Sequence, residues 1–129
     1  MAEKIVSKVL KITFLIHFVV AVILGFFYLF LPDEFVALFS WPYTDPVTLR
    51  LLGAAFLGLG ISSLLGSRES DWEKVKIVVV MEIVWLAVAF VVMLLSVILA
   101  GTGLAGLLFV FISAAFLGLF IFSYFQTTW

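Results

Sequence analysis

The chain has 129 residues, of which 66% are hydrophobic and 12% are charged, whereas an ordinary soluble domain is about 45–50% apolar. This composition excludes a water-soluble globular fold, and the seven basic residues lack the basic stripe that nucleic-acid binding needs. The absence of cysteine excludes disulfide bonds, thiolate metal sites and iron–sulfur clusters. The apolar residues form four long blocks, and a helix needs about 20 such residues to cross a bilayer. We therefore predict an all-α, four-transmembrane-helix bundle in a single integral membrane domain, residues 1–129.

The four blocks predict spans at about residues 9–31, 46–66, 72–99 and 103–125. The first block is too long for the apolar part of a signal peptide, and no cleavage site follows it, so we read it as a retained span. Asp45 before Pro46 predicts the start of the second helix, and Gly66 predicts its end. Ser70 and Glu73 have the spacing of a capping box, which predicts the start of the third span.

The first connection predicts a short helix at the membrane surface. Pro32, Asp33 and Glu34 favour a helix start, and aromatic and apolar residues then recur at helical spacing from Phe35 to Trp41. Such a helix either anchors the chain at headgroup level or acts as a lid over a substrate site. We also expect aromatic belts at both membrane surfaces. Their members are Tyr28 and Tyr43 on this side and Trp72, Tyr124 and Trp129 on the other.

The positions of the lysines and arginines predict the orientation, because positive residues beside spans stay in the cytoplasm. Those flanking the N-terminus and the second connection are Lys4, Lys8, Lys11, Arg68, Lys74 and Lys76. We therefore expect a multi-pass protein of the cell membrane with cytoplasmic N- and C-termini. Arg50 stands apart, four residues into the second span from the outer side. It is expected to reach the headgroups, to meet Tyr28 or an acidic residue (Asp33, Glu34 or Asp45), or to bind an anionic ligand.

A repeated string indicates two related helical hairpins. Ala-Ala-Phe-Leu-Gly-Leu occurs at residues 54–59 and again at 114–119, and spans one and three align with His17 over Glu82. Two hairpins of the same orientation imply a pseudo-two-fold axis along the membrane normal. Small residues at helical spacing let helices approach closely in lipid, so we expect spans two and four to pack, either within one chain or across a homodimer. The small residues concerned are Ala54, Gly58, Ser62, Ala114 and Gly118.

His17 and Glu82 are the main candidate site residues, because ionisable groups inside a span are costly and usually face the bundle interior. Each lies six residues after a lysine, Lys11 or Lys76, which is about 9 Å of helix, so the two have equal depth. They are either a proton-titrating or ligand-anchoring site, with Trp85 as a stacking wall, or a purely structural pair. One histidine and one carboxylate provide too few ligands for a metal site.

Two segments resemble the small DoxX-like four-span membrane proteins. They are Tyr28-Leu29-Phe30-Leu31-Pro32-Asp33-Glu34-Phe35 and Arg50-Leu51-Leu52-Gly53-Ala54-Ala55-Phe56-Leu57-Gly58-Leu59-Gly60. The function of many DoxX-like proteins is unknown. The resemblance implies a role for some members as accessory subunits in quinone-associated oxidation, and it carries no catalytic residue onto this chain.

The sequence contains no catalytic or cofactor signature, which favours a binding or accessory protein over an enzyme. We expect it to bind a hydrophobic or amphipathic ligand, a lipid or a quinone-like molecule, near His17, Glu82 and Trp85, or to be an accessory subunit of a membrane complex. The alternative is a dimeric proton-coupled small-molecule transporter in which Glu82 is the coupling carboxylate.

Overall fold

A computed structural model of the protein describes residues 4–41 and 45–128, which are helical apart from short connections and one isolated bridge. The helices are α1 (Lys8–Phe30), α2 (Pro32–Phe39), α3 (Pro46–Arg68), α4 (Trp72–Ala100) and α5 (Gly103–Thr128). All except α2 are long and apolar enough to cross a membrane. The predicted four spans and the short helix after the first span are therefore confirmed as helices, as expected for a multi-pass membrane protein.

The starts of α3 and α4 follow the sequence prediction, whereas the end of α3 and the N-cap residue of α4 do not. Asp45 caps α3 by accepting hydrogen bonds from the backbone N–H groups of residues 47 and 48. Gly66 does not end α3, which continues to Arg68. Asp71, and not Ser70, is the N-cap of α4 and accepts from the N–H of Glu73 at 3.0 Å. The Ser70 carbonyl instead accepts a hydrogen bond from the Val6 N–H of the N-terminal segment.

Two closely packed helix pairs make up the bundle, α1 with α3 and α4 with α5. Gly25 of α1 and Gly53 of α3 mark the tightest crossing. A Cβ atom on Gly25 would lie 3.0 Å from the Gly53 carbonyl oxygen, and one on Gly53 would lie 2.8 Å from the Gly25 carbonyl oxygen. The lack of side chains at both positions therefore allows the backbones of the first hairpin to touch.

The small residues singled out in the sequence lie on other faces. Among the described residues, α3 and α5 have no Cα atoms within 8 Å of each other. Ala54, Gly58, Ala114 and Gly118 are exposed, and Ser62 is half-buried with its hydroxyl bonded to the Leu59 carbonyl. The prediction that spans two and four pack within one chain is therefore wrong, because α3 uses a different glycine face against α1. Packing of these residues across a homodimer stays a prediction.

The described parts of the N-terminal segment, the α3–α4 connection and the end of α5 lie at one end of the bundle, here called the terminal end. The N–H of Val6 donates to the Ser70 carbonyl at 2.9 Å, and the N–H of Trp72 donates to the Lys4 carbonyl at 3.0 Å. The Trp72 and Tyr124 rings lie 5.9 Å apart. The opposite, distal end carries α2 and the turn between α4 and α5.

Two of the expected belt residues are core residues. Tyr28 and Trp72 are both 0% exposed, the former beneath Phe35 of α2 and the latter at the terminal end. The prediction that they lie in surface belts is wrong, because the large rings fill space between helices that lipid would otherwise occupy. Tyr43 and Trp129 lie outside the described residues.

Candidate ligand-binding cavity

A cavity of about 490 Å³ lies between the α1/α3 hairpin and the α4/α5 hairpin. Between α1 and α4 no Cα atoms come within 8 Å in the described residues, and the two hairpins approach each other closely through α1 with α5 and α3 with α4. The cavity wall is almost entirely apolar and is built from all four long helices. Representative lining residues are Ala21, Leu24, Phe56, Ala89, Phe109 and Ile112. Its volume is in the range of small-molecule sites, about 300–1,000 Å³.

The cavity opens sideways between α3 and α4. Leu52 of α3 and Val88 and Val92 of α4 line it, and they are also 36%, 59% and 53% exposed on the outside of the bundle. Side chains that face both the cavity and the exterior mark its mouth. In a helix bundle that spans a membrane, such a mouth faces hydrocarbon rather than water.

The structure brings His17 and Glu82 together at the end of the cavity nearer the terminal end. His17 Nε2 lies 3.5 Å from Glu82 Oε2, and His17 Nδ1 lies 2.7 Å from the Ser63 hydroxyl oxygen. All three side chains are buried. The polar chain therefore links α3, α1 and α4 and holds the two hairpins in register. Ser63 had not been identified from sequence as a partner of His17.

Trp85 adds a fourth side chain to the row of polar contacts formed by Ser63, His17 and Glu82, and it forms part of the cavity wall. Its indole N–H donates to Glu82 Oε2 at 2.7 Å, and its ring meets Phe56 at a centroid distance of 5.9 Å. Trp85 and His17 line the cavity, whereas Glu82 is 0% exposed and lies behind the wall. The second Glu82 oxygen, Oε1, has no hydrogen-bond partner among the described residues. The predicted trio is therefore adjacent, but the carboxylate does not face the cavity.

Tyr28 is a wall residue whose place in the cavity the sequence analysis missed. Its ring packs against Phe35, Phe56 and Phe109, with centroid distances of 4.5, 5.8 and 6.2 Å. Its buried hydroxyl has no hydrogen-bond partner among the described residues. Helical spacing could have revealed it, because Tyr28 lies eleven residues after His17 and on the same buried face of α1.

Arg50 lies away from the cavity. It is exposed, and within the described parts of the chain it forms no ion pair with Asp33, Glu34 or Asp45. The Asp45 carboxylate instead accepts from the Thr48 hydroxyl at 2.6 Å as part of the α3 cap. The expected pairing of Arg50 with these acids is therefore absent from the described chain, while its reach toward headgroups or an anionic ligand stays a prediction.

Comparison of the chain with protein-family models, with curated proteins and with solved structures found no match.

Proposed function

We propose that this protein binds one apolar or weakly amphipathic molecule from the membrane in the cavity between its two hairpins. The observation that carries the proposal is a 490 Å³ apolar cavity with its mouth between α3 and α4. Burial of apolar surface gives about 0.8 kcal/mol per methylene group when the reference state is water, but much less when the molecule comes from lipid. Shape and a few polar contacts must therefore determine which membrane molecule is retained.

The lining favours a neutral ligand. Both ring nitrogens of His17, the one histidine on the described wall, already face protein partners. No lysine, arginine or carboxylate is present on the described wall to bind a charged headgroup. A single-chain lipid and a quinone-like molecule both fit these conditions.

A cavity-filling variant tests this proposal. Ala89→Phe places a ring in the cavity from α4, whereas Ala115→Phe adds the same ring at an exposed position on α5 outside the wall. Native mass spectrometry of each protein in mild detergent measures the retained small molecule. We expect a defined apolar adduct on the wild type and on Ala115→Phe and its loss from Ala89→Phe. A bare wild type, or equal retention by both variants, would contradict the proposal.

A proton-coupled transporter is the second candidate, and the Ser63–His17–Glu82 chain is the observation that favours it. Glu82 is buried, one of its oxygens has no partner in the part of the chain that the structure describes, and a proton on either Glu82 or His17 changes the charge next to the cavity. The dimer that such a transporter requires would use the exposed small-residue faces of α3 and α5. In proteoliposomes, uptake of a lipophilic fluorescent cation driven by a pH gradient would support this function, and uptake that is unchanged in Glu82→Gln would contradict it.

The same exposed small-residue faces suit an accessory subunit, because a partner's helix can approach closely there. Co-purification of one stoichiometric foreign subunit, lost when Gly58 and Gly118 are replaced by leucine, would support this role.

We further propose that the two hairpins are related copies and that the terminal end lies in the cytoplasm. Ser63 and Ser123 are both 0% exposed and lie at the same offset as the repeated string, which supports duplication. The orientation rests on the basic residues at the terminal end. The chain lacks cysteine, so a single Ser70→Cys variant reports the side of the membrane. A thiol reagent that cannot cross membranes should label it only after permeabilisation of the cells.

A further inference from the structure

We infer that the Tyr28 hydroxyl is the polar anchor of the cavity and selects an apolar ligand that carries a hydrogen-bond acceptor such as a carbonyl or ether oxygen. This inference rests on the proposed function, because it assigns the polar contact within that binding site. It differs from the sequence expectation, which placed the ligand's polar group at His17, Glu82 and Trp85.

Most of the buried polar groups on the wall already have partners within the protein. His17 has partners at both ring nitrogens, and the Trp85 N–H is taken by the carboxylate behind the wall. The Ser113 hydroxyl donates to the Phe109 carbonyl of its own helix at 2.6 Å. Of the buried polar side chains on the described wall, Tyr28 alone has a donor without a partner. Buried polar groups are rarely left in this state, so the hydroxyl points to a ligand acceptor.

The Tyr28 hydroxyl lies in an apolar, aromatic environment. Aromatic rings from α2, α3 and α5 pack around Tyr28 and close its hydroxyl off from solvent. A hydrogen bond formed in such a dry, apolar site is stronger than one exposed to water. No charged group lies on the described wall, so a neutral acceptor is favoured over a carboxylate or phosphate.

Tyr28 lies in the last turn of α1, near the distal end, at the opposite end of the cavity from His17. The eleven residues between them correspond to about 16 Å of helix. A molecule anchored at Tyr28 therefore has its polar group near a membrane surface and its apolar body directed toward the middle of the bundle. That is how a single-chain amphiphile is oriented in one leaflet.

A pair of probes separates this inference from the proposed function. The probes are a long-chain methyl ketone and the alkane of equal length, each brominated at the far end of the chain so that it quenches tryptophan fluorescence. Trp41 and Trp85 both line the cavity and report binding, whereas Trp72 is not on its wall. Wild type, Tyr28→Phe and Tyr124→Phe are titrated in detergent. The last variant removes a tyrosine hydroxyl from the terminal end, away from the cavity.

We expect the wild type and Tyr124→Phe to bind the ketone about five- to tenfold more tightly than the alkane, the range expected for one hydrogen bond. In Tyr28→Phe the ketone should bind only as well as the alkane, while alkane binding is unchanged because the ring is retained. Equal ketone preference in wild type and Tyr28→Phe would overturn the role of Tyr28 and leave the proposed function standing. Binding of neither probe to the wild type would overturn both. Unchanged thermal unfolding of Tyr28→Phe in detergent shows that any loss is not misfolding.

Discussion

The Gly25–Gly53 crossing predicts that Gly53→Ala destabilises the protein. The new methyl group would lie 2.8 Å from the Gly25 carbonyl oxygen and 2.9 Å from the Leu29 backbone nitrogen, against 3.4–4 Å for an ordinary contact. Both neighbours are backbone atoms, so α1 and α3 must separate by several tenths of an ångström. Overpacking of this kind costs about 1–3 kcal/mol. Replacing a helical glycine by alanine stabilises the helix by about 0.5–1 kcal/mol, which leaves a net loss of roughly 0–2.5 kcal/mol, about 1 kcal/mol in the middle of the range.

Gly58→Ala is the matched control on the same helix. A Cβ atom there has nothing within 4 Å, so only the gain in helix propensity remains. Reversible unfolding in mixed micelles, followed by circular dichroism, gives the free energy of unfolding of each variant. We expect Gly58→Ala to be more stable than Gly53→Ala by about 1–3 kcal/mol. Equal stabilities would refute the α1–α3 crossing. A loss in Gly58→Ala that grows with protein concentration would instead show that the small-residue face packs across a homodimer.

Three further substitutions test local features of the fold by the same unfolding measurement. Ser63→Ala removes the hydroxyl partner of His17 Nδ1 and should cost about 1–3 kcal/mol, and a neutral result would contradict the buried hydrogen bond. Gly101 has a φ of +60° with open space around it, so Gly101→Ala should cost about 1–2 kcal/mol through backbone strain alone, and an unchanged free energy of unfolding would argue against the left-handed turn. Asp45→Ala should lower the melting temperature at neutral pH. Side-chain and backbone hydrogen bonds from Thr48 hold the pKa of Asp45 below its ordinary value, so the stabilisation is present above the unfolded-state pKa and is lost as pH falls through the lower folded-state pKa. A difference between Asp45→Ala and wild type that persists at low pH would contradict this.

The number of spans and their approximate limits could be predicted because they depend on local properties of the chain. Apolar length determines whether a segment can cross a bilayer, and the Asp45–Pro46 pair marks a helix start in any context. The pairing of His17 with Glu82 could also be predicted from the sequence. Ionisable groups inside spans are rare enough that two at equal depth are each other's natural partners.

The choice of helix face could not be read from the sequence. Helix α3 carries small residues around much of its circumference, so Gly58 looks as suitable for close packing as Gly53. Only the position of α1 decides which glycine is buried, and that position depends on every contact in the bundle. Tyr28 presents the same difficulty, because an aromatic residue near a helix end suits both a membrane-surface belt and a core. The N-cap of α4 is Asp71 rather than Ser70, whose carbonyl accepts a hydrogen bond from Val6, a residue that precedes α1.

The distribution of satisfied and unsatisfied polar groups separates structural from ligand-binding roles in this bundle. His17 contacts Ser63 of α3 and also connects α1 to Glu82 of α4, a helix whose described Cα atoms do not come within 8 Å of those of α1, so its loss is expected to act on stability first. The Tyr28 hydroxyl has no hydrogen-bond partner among the described residues, so its removal should leave the ring packing intact and change what the cavity prefers to bind. If Ser63→Ala lowers stability without altering the ketone preference, while Tyr28→Phe abolishes the ketone preference without lowering stability, one end of the cavity holds the hairpins together and the other selects the ligand. A variant at either position that changed both properties together would show instead that ligand contact and hairpin docking depend on the same interactions.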